Sequence, residues 1–297
     1  MDNELKIRGK QYSIQGGTVR VLALRSELID EILDPESEIK EIQGKRLPAD
    51  LLTFLQRPLS TCPQLPYFME WDNRAVLEIK SYEDWFKNQI HRNARNKIRK
   101  AEKNGVVVRI EPFSDKLVEG IVDVFNETPV RQGRPNLYYG WDSEMVRRVW
   151  AIELDRSFWI VAYCECETIG FIKLVVGNGI ARSSGMVAKI AYRDKAPVNA
   201  LFSKAVEICA SKAIPLLVYG QFSYGWKGED SLTTFKIHNG FKRIEAPRYY
   251  VPLSTRGRVG LCLGLHRGLI NFVPGPVLRL ALKARSKWYE RSMVSRT

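Results

Sequence analysis

The sequence predicts a mixed α/β fold: a central, mostly antiparallel sheet flanked by helices, with an extension before it and a helical tail after it. Three observations carry that expectation. Between Val106 and Leu253, runs with strand periodicity alternate with amphipathic runs at helical spacing, in the order β-α-α-β-β-β-α-β-α-β-β. Five prolines between Pro35 and Pro66 interrupt the chain before residue 82, while arginines and leucines dominate after residue 254. With 297 residues, 45% of them hydrophobic, the chain can bury a substantial core. Three segments follow: residues 1–81, an extension packed on the core; residues 82–254, a basic helix and the main domain; and residues 255–297, a basic amphipathic tail.

In the extension, strand-like runs at Ile7 to Ile14 and Thr18 to Leu24 flank a Gly16-Gly17 turn, and a short acidic helix is expected over Ser26 to Leu33. The prolines then argue for loops. Met69 to Lys80 is one more strand. Ser81 and Asp84 have capping-box spacing and open a helix from Tyr82 to Gly105. Its apolar seam is Ile90, Ala94, Ile98 and Ala101; Lys87, Arg92, Arg95, Lys97, Arg99, Lys100 and Lys103 fill the other faces. Gly105 suits its left-handed stop.

The main domain starts with a strand at Val106 to Glu111 and a helix at Asp115 to Phe125 whose Leu117, Ile121, Val124 and Phe125 share a face. A second helix, capped by Asp142 or Ser143, runs to Leu154. Phe158 to Cys164 and Ile169 to Val176 form a hairpin over a Glu-Thr turn, and a third strand spans Ile180 to Ala191. Pro197 opens a helix to Lys212. A strand at Pro215 to Tyr219, a helix at Ser231 to His238 and two closing strands, Phe241 to Ala246 and Tyr249 to Leu253, complete it.

The net charge of +13 is concentrated in two places. Trp85 to Arg109 has eight basic residues against Glu102, and Pro252 to Thr297 has nine against Glu290. Two basic surfaces on a nearly neutral body favour a specific anionic partner, such as phosphate, RNA or an anionic membrane, although a solvated helix face gives the same pattern. DNA is not an expected partner. The five cysteines lack ligand-type spacing, so no metal is expected. Cys164 and Cys166, on one strand face, are expected to be packed thiols in a reducing compartment. The amino terminus lacks an apolar h-region, and no run reaches the roughly 20 apolar residues of a membrane span. A cytoplasmic chain, peripheral at the inner membrane face, is expected.

The element order resembles that of GNAT-type N-acetyltransferases. RNARNKIRKAEKNGVVVRI and Ser231 to Leu253, SLTTFKIHNGFKRIEAPRYYVPL, are similar to passages of Fem-type aminoacyltransferases, the peptidoglycan-bridge enzymes. The resemblance covers roughly residues 82 to 253 and would make residues 1–81 a reduced first GNAT-like unit. It implies acyl transfer to an amine or hydroxyl, with a backbone N–H of a splayed fourth strand holding the carbonyl. The donor would be acyl-CoA, such as acetyl-CoA, or aminoacyl-tRNA. Donor phosphates would lie at Arg193 to Val198, where Arg193, Lys195 and Asn199 are the cofactor-binding candidates. Ala196 and Val198 replace the family's glycine and small residue, and Pro197 removes one donor, a departure that Fem-type enzymes share. Tyr219 or Tyr224 would protonate the leaving group, and Lys236 matches the Fem-type lysine that faces a phosphate or carboxylate.

The loop Asn126 to Tyr139 lies where GNAT folds build the acceptor pocket. Glu127 is the candidate general base, if burial raises its pKa, or a surface acid paired with an arginine. Arg131, Gln132, Arg134, Tyr138 and Tyr139 are substrate-binding candidates, the arginines as a clamp on phosphate or carboxylate. In the tail, helices at Val259 to Phe272 and Val277 to Met293 flank Pro274-Gly275-Pro276; residues 259–293 would lie on an anionic membrane or dock on the core. The expected activity is acyl or aminoacyl transfer to a small or lipid-linked anionic envelope or glycan precursor. The alternative is a non-catalytic module that binds RNA or an anionic membrane.

Overall fold

The chain was analysed as a computed structural model, which describes residues 5–57, 62–131, 134–223 and 231–267. Its N-terminal region contributes β1 (Leu5–Ile7), β2 (Lys10–Gln15), β3 (Val21–Leu24), α1 (Pro35–Gly44) and β4 (Leu51–Leu55). The expected acidic helix at 26–33 is a series of turns. The helix instead starts at Pro35, because the Asp34 side chain accepts from the Ser37 N–H and Pro35 fills the first helical position. β4 has no alternation because both its faces are covered: Leu52 and Phe54 pack towards α1, while Leu55 joins a separate apolar cluster.

β5 (Phe68–Glu78) leads into α2 (Tyr82–Asp84), a π-helical turn (Trp85–Gln89) and α3 (Arg92–Lys103). The continuous helix expected from 82 to 105 is thus broken at Ile90 and His91, where His91 takes extended backbone and caps α3. Ser81 Oγ does accept from the Asp84 N–H, but the Asp84 carboxylate turns to Asn88 and Gln89, so the capping box is only half formed. Arg95 closes the break by donating to the carbonyls of Phe86, Lys87 and Ile90.

β6 (Val107–Glu111), α4 (Asp115–Asn126), β7 (Val130–Arg131), β8 (Arg134–Pro135) and α5 (Ser143–Trp150) follow, then β9 (Ser157–Cys164), β10 (Glu167–Gly177) and β11 (Ile180–Ala188). The β9–β10 turn is Glu165-Cys166, both at positive φ, so Glu167 and Thr168 belong to the strand. Cys164 is buried and Cys166 exposed, which corrects the expected packed pair. α6 (Pro197–Ser211), β12 (Leu216–Gln221), α7 (Ser231–His238), β13 (Lys242–Pro252) and α8 (Thr255–Cys262) complete the chain. The two expected closing strands are one: β13 runs through Pro247, whose carbonyl accepts from Gln56 while no N–H is needed there.

The strands form one sheet in the order β1-β2-β3-β4-β13-β5-β12-β11-β10-β9-β6, antiparallel except at β3–β4 and β11–β12; β7 and β8 pair separately. α3 and α6 bury one face around Phe202 and Ile98. α4 and α5 bury the other around Phe125 and Trp150. In the tail, α8 ends at Cys262, short of the expected Phe272, and the second expected helix lies outside the described residues.

Candidate active site

β11 pairs with β12 only at Ile180–Leu216, Ala181–Leu217 and Arg182–Val218. Beyond Arg182 the two strands part. On its other edge β11 is bulged, because Lys173 faces Gly185 and Leu174 faces Ser183, which leaves Ser184 without a partner on β10. Gly185 carries the bend: a Cβ there would land inside the Trp150 ring. Past Arg182 the β12 edge of β11 is therefore unpaired, and at Ser184 the β10 edge is skipped as well, at the apex of a V.

A cavity of about 860 Å³ opens at this apex. Ser183, Ser184 and Gly220 contribute from the diverging strands, and Arg74, Arg182 and Arg248 from the sheet floor. Gly16 to Val19 and Glu27 close it from the N-terminal strands. Four arginines and four acids form two hydrogen-bonded groups under it, one through Glu153 and Asp30 and one through Glu27 and Asp72. Arg182 Nη2 donates to Glu153 Oε2 at 3.0 Å, Arg156 is bidentate to Asp30 at 2.7 and 3.0 Å, and Arg74 and Arg248 share Glu27 and Asp72. Burial lowers the Arg182 pKa, with Glu153 opposing it. Among the described residues, Ser183 Oγ and the Nε atoms of Arg74 and Arg182 are buried without a partner. None of these residues was singled out from the sequence. The available signal was Asp72-Asn73-Arg74, charges at core-facing positions of an otherwise apolar strand.

The loop candidates lie at the other end of β11. Glu127 accepts from the Ile190 and Ala191 N–H groups, both at 2.8 Å, and from Arg131 Nη2 at 3.0 Å. Arg131 also donates to the carbonyls of Ala188 and Val124. The pair braces the loop and the strand end. Tyr138 stacks on Phe125 at 4.4 Å within the α4–α5 core, Tyr139 is half exposed, and Arg134 is partly buried in β8. Gln132 and Tyr224 lie outside the described residues.

Tyr219 shares the α6-side face of β12 with Leu217, packed on Phe235 and Phe241. Lys236 is buried; its Nζ donates to the carbonyls of Gln221 and Phe222 and lies 5.3 Å from the Tyr219 ring centroid. It fixes the backbone that leaves β12. At the start of α6, Ala196 adopts left-handed backbone, Pro197 has no N–H, and the Asn199 N–H turns back to the Ala196 carbonyl. That leaves Val198 in the first turn, a poor cradle for a coenzyme A pyrophosphate. Asn199 is buried, Arg193 sits in the preceding 3-10 turn, and Lys195 donates to Cys164 Sγ at 3.0 Å. Of the described candidates, Tyr219 directly follows Val218, the last β12 residue paired with β11, on the face of β12 opposite the arginines. No metal-ligand group of three or more His, Cys, Asp or Glu gathers among the described residues.

No protein-family model and no curated protein matches the sequence. Solved structures do match. FemX superimposes with a TM-score of 0.60 at 9% identity, covering 85% of this chain and 86% of that one. L-PGS from Bacillus licheniformis gives 0.55 at 13% identity, covering 89% and 86%. The C-terminal domain of a putative lysylphosphatidylglycerol synthetase from Agrobacterium fabrum gives 0.54 at 14% identity, covering 85% and 83%. At these identities the likeness is one of fold, and it covers more of the chain than residues 82–253: the chain has the GNAT-type fold.

Proposed function

We propose that the protein is an acyltransferase that moves an acyl or aminoacyl group onto an amine or hydroxyl of an anionic, phosphorylated or lipid-linked acceptor held in the arginine-lined cavity. The observation that carries this reading is the β-bulge at Ser184, skipped by the β10 ladder and past the last β11–β12 pair, where Ser183 and Ser184 line the cavity at the V between β11 and β12. Backbone N–H groups there are placed to hold the donor's carbonyl oxygen as negative charge develops on it. The acceptor's amine or hydroxyl attacks that carbon and gives up its proton, the bond to the donor's leaving oxygen or sulfur breaks, and the leaving atom takes one proton, so protons balance overall. Tyr219 is the candidate donor of that proton. Arginines in the cavity hold the acceptor's anion.

The start of α6 disfavours coenzyme A and supports aminoacyl-tRNA as the donor. The exposed Arg92, Lys97, Lys100 and Lys103 of α3 would carry its phosphates. One structural neighbour is a putative lysylphosphatidylglycerol synthetase, a name that describes aminoacylation of an anionic lipid, the class proposed here for the acceptor. No helix among the described residues is long and apolar enough to cross a membrane. Exposed Val259 and Leu263 on and beside α8, with Arg256 and Arg258, support a peripheral approach to an anionic surface.

The test is a transfer assay with purified protein, vesicles containing anionic phospholipid or a nucleotide-linked glycan precursor, and labelled aminoacyl-tRNA or acetyl-CoA. Label should pass from aminoacyl-tRNA to an acceptor. Anion binding with no transfer from either donor would contradict the proposal and leave a non-catalytic binding module.

A further inference from the structure

β5 and β13 bring Arg74 and Arg248 into the cavity on either side of the cross-strand pair Asp72–Ala246. The small Ala246 leaves room for the two guanidinium groups to converge. Asp72 holds both from the sheet side, with Oδ2 2.7 Å from Arg74 Nη2 and 2.8 Å from Arg248 Nε. Both also meet Glu27, Arg248 through its two Nη atoms and Arg74 through the same Nη2 that it gives to Asp72. Arg248 Nη1 donates to Oε2 at 2.9 Å and Nη2 to Oε1 at 2.5 Å, and Arg74 Nη2 reaches Oε1 at 2.9 Å. Two convergent arginines, one of them bidentate, are the arrangement by which proteins hold a ligand's carboxylate or phosphate.

Asp72 and Glu27 differ in how they arrive. Asp72 is part of the sheet, whereas Glu27 enters from the turns between β3 and α1, beside the open volume of the cavity. The backbone of those turns is anchored independently, by buried Leu28 and Ile29 and by Ile29 and Asp30 N–H bonds to the Ser26 carbonyl. Rotation about its own side-chain torsions is therefore enough to remove the Glu27 carboxylate from the fork. The buried Arg74 Nε, without an acceptor, gives the fork capacity for a larger oxyanion than the one it holds.

We propose that Glu27 is a built-in occupant of the acceptor-oxyanion subsite, displaced from the Arg74–Arg248 fork when the acceptor's phosphate or carboxylate enters. The proposal rests on the assignment of this cavity to the acceptor. Internal competition of this kind weakens binding of every anion, so only acceptors that engage both arginines and fill the cavity bind well.

Pyrophosphate and glutarate, titrated calorimetrically into the full chain, test it for both oxyanion chemistries. Glu27→Gln should bind at least one of them about tenfold more tightly than the wild type, and Glu27→Asp, too short to span the fork, severalfold more tightly. Arg74→Gln should lose that binding. The anion that tightens identifies the subsite as phosphate- or carboxylate-directed. Unchanged or weaker binding in folded Glu27 variants would overturn the proposal, as would failure of both variants to fold, because a displaceable occupant is not essential for folding. Tightened binding without acyl transfer would sink the acyltransferase reading alone; transfer with unchanged binding would sink this proposal alone.

Discussion

Two glutamate–arginine clusters stand at opposite ends of β11, and they use the same chemistry differently. Glu127 and Arg131 are tied to backbone: the acid takes two N–H groups, the two Nη atoms of the arginine reach two carbonyls, and neither residue lines the cavity. Glu27 and Arg248 meet beside about 860 Å³ of open volume. An arginine and a glutamate in a polar loop therefore do not identify a site. What distinguishes the clusters is whether their polar atoms finish on backbone or on open volume.

The largest effect expected from breaking this contrast is on stability. Arg248→Ala leaves Glu27 and Asp72 facing Arg74 alone. Although burial opposes its charge, Glu27 and Asp72 hold the Arg248 pKa above its ordinary value. Equilibrium urea unfolding should show a loss of about 3–5 kcal/mol, the usual cost of stranding a buried charge. Glu127→Gln should cost less, about 1 kcal/mol, because the amide oxygen still accepts one N–H bond.

Another buried cation, Lys173 on β10, donates to the Trp150 and Ile152 carbonyls. Burial is the main cause of its pKa falling to about 8, with Glu153 opposing. The unfolded lysine titrates near 10.5 and so binds more protons than the folded one between about pH 8 and 10.5. Stability should therefore rise with pH in that window, with a slope of up to about 1 kcal/mol per pH unit. Lys173→Met should remove that contribution, measured as the difference between the two proteins from pH 8 to 9.5. A flat difference would place the ammonium in contact with water.

The smallest change in stability belongs to α3. Arg95 and Arg99 lie over the Phe86 ring, and Arg95 closes the break before the helix, so neither tests surface charge cleanly. Reversing Lys97, Lys100 and Lys103 should leave the unfolding midpoint nearly unchanged. It should weaken tRNA binding severalfold and reduce the salt dependence by about 0.7–0.9 for each phosphate that the helix no longer neutralises. Unchanged binding would move the donor to another surface.

The half of the fold with local signals was legible. α4 and α6 carry apolar faces at helical spacing, and β9 and β10 adjoin in sequence, so the order from β6 to α7 follows from short-range pattern. β4 shows no alternation because both its faces are buried, and Pro247 hides the continuity of β13. The candidate site was less legible. Residues 27, 74, 182 and 248 come together only through sheet order, and no local pattern links them. The loop from 126 to 139 drew attention through polarity alone, which the brace on Ile190 and Ala191 accounts for.

The central claim is that chemistry takes place at the Arg182–Gly185 end of β11 and that the Glu127 end supports it mechanically. Paired steady-state assays of Arg182→Gln and Glu127→Gln test this most directly, with labelled aminoacyl-tRNA, an anionic acceptor and thermal midpoints measured alongside. The account predicts a loss of about 100-fold or more in kcat/KM for Arg182→Gln, partial recovery in Arg182→Lys, and a change of no more than severalfold for Glu127→Gln. Loss of transfer in a folded Glu127→Gln protein, with Arg182→Gln active, would contradict it and return the general-base role to the loop.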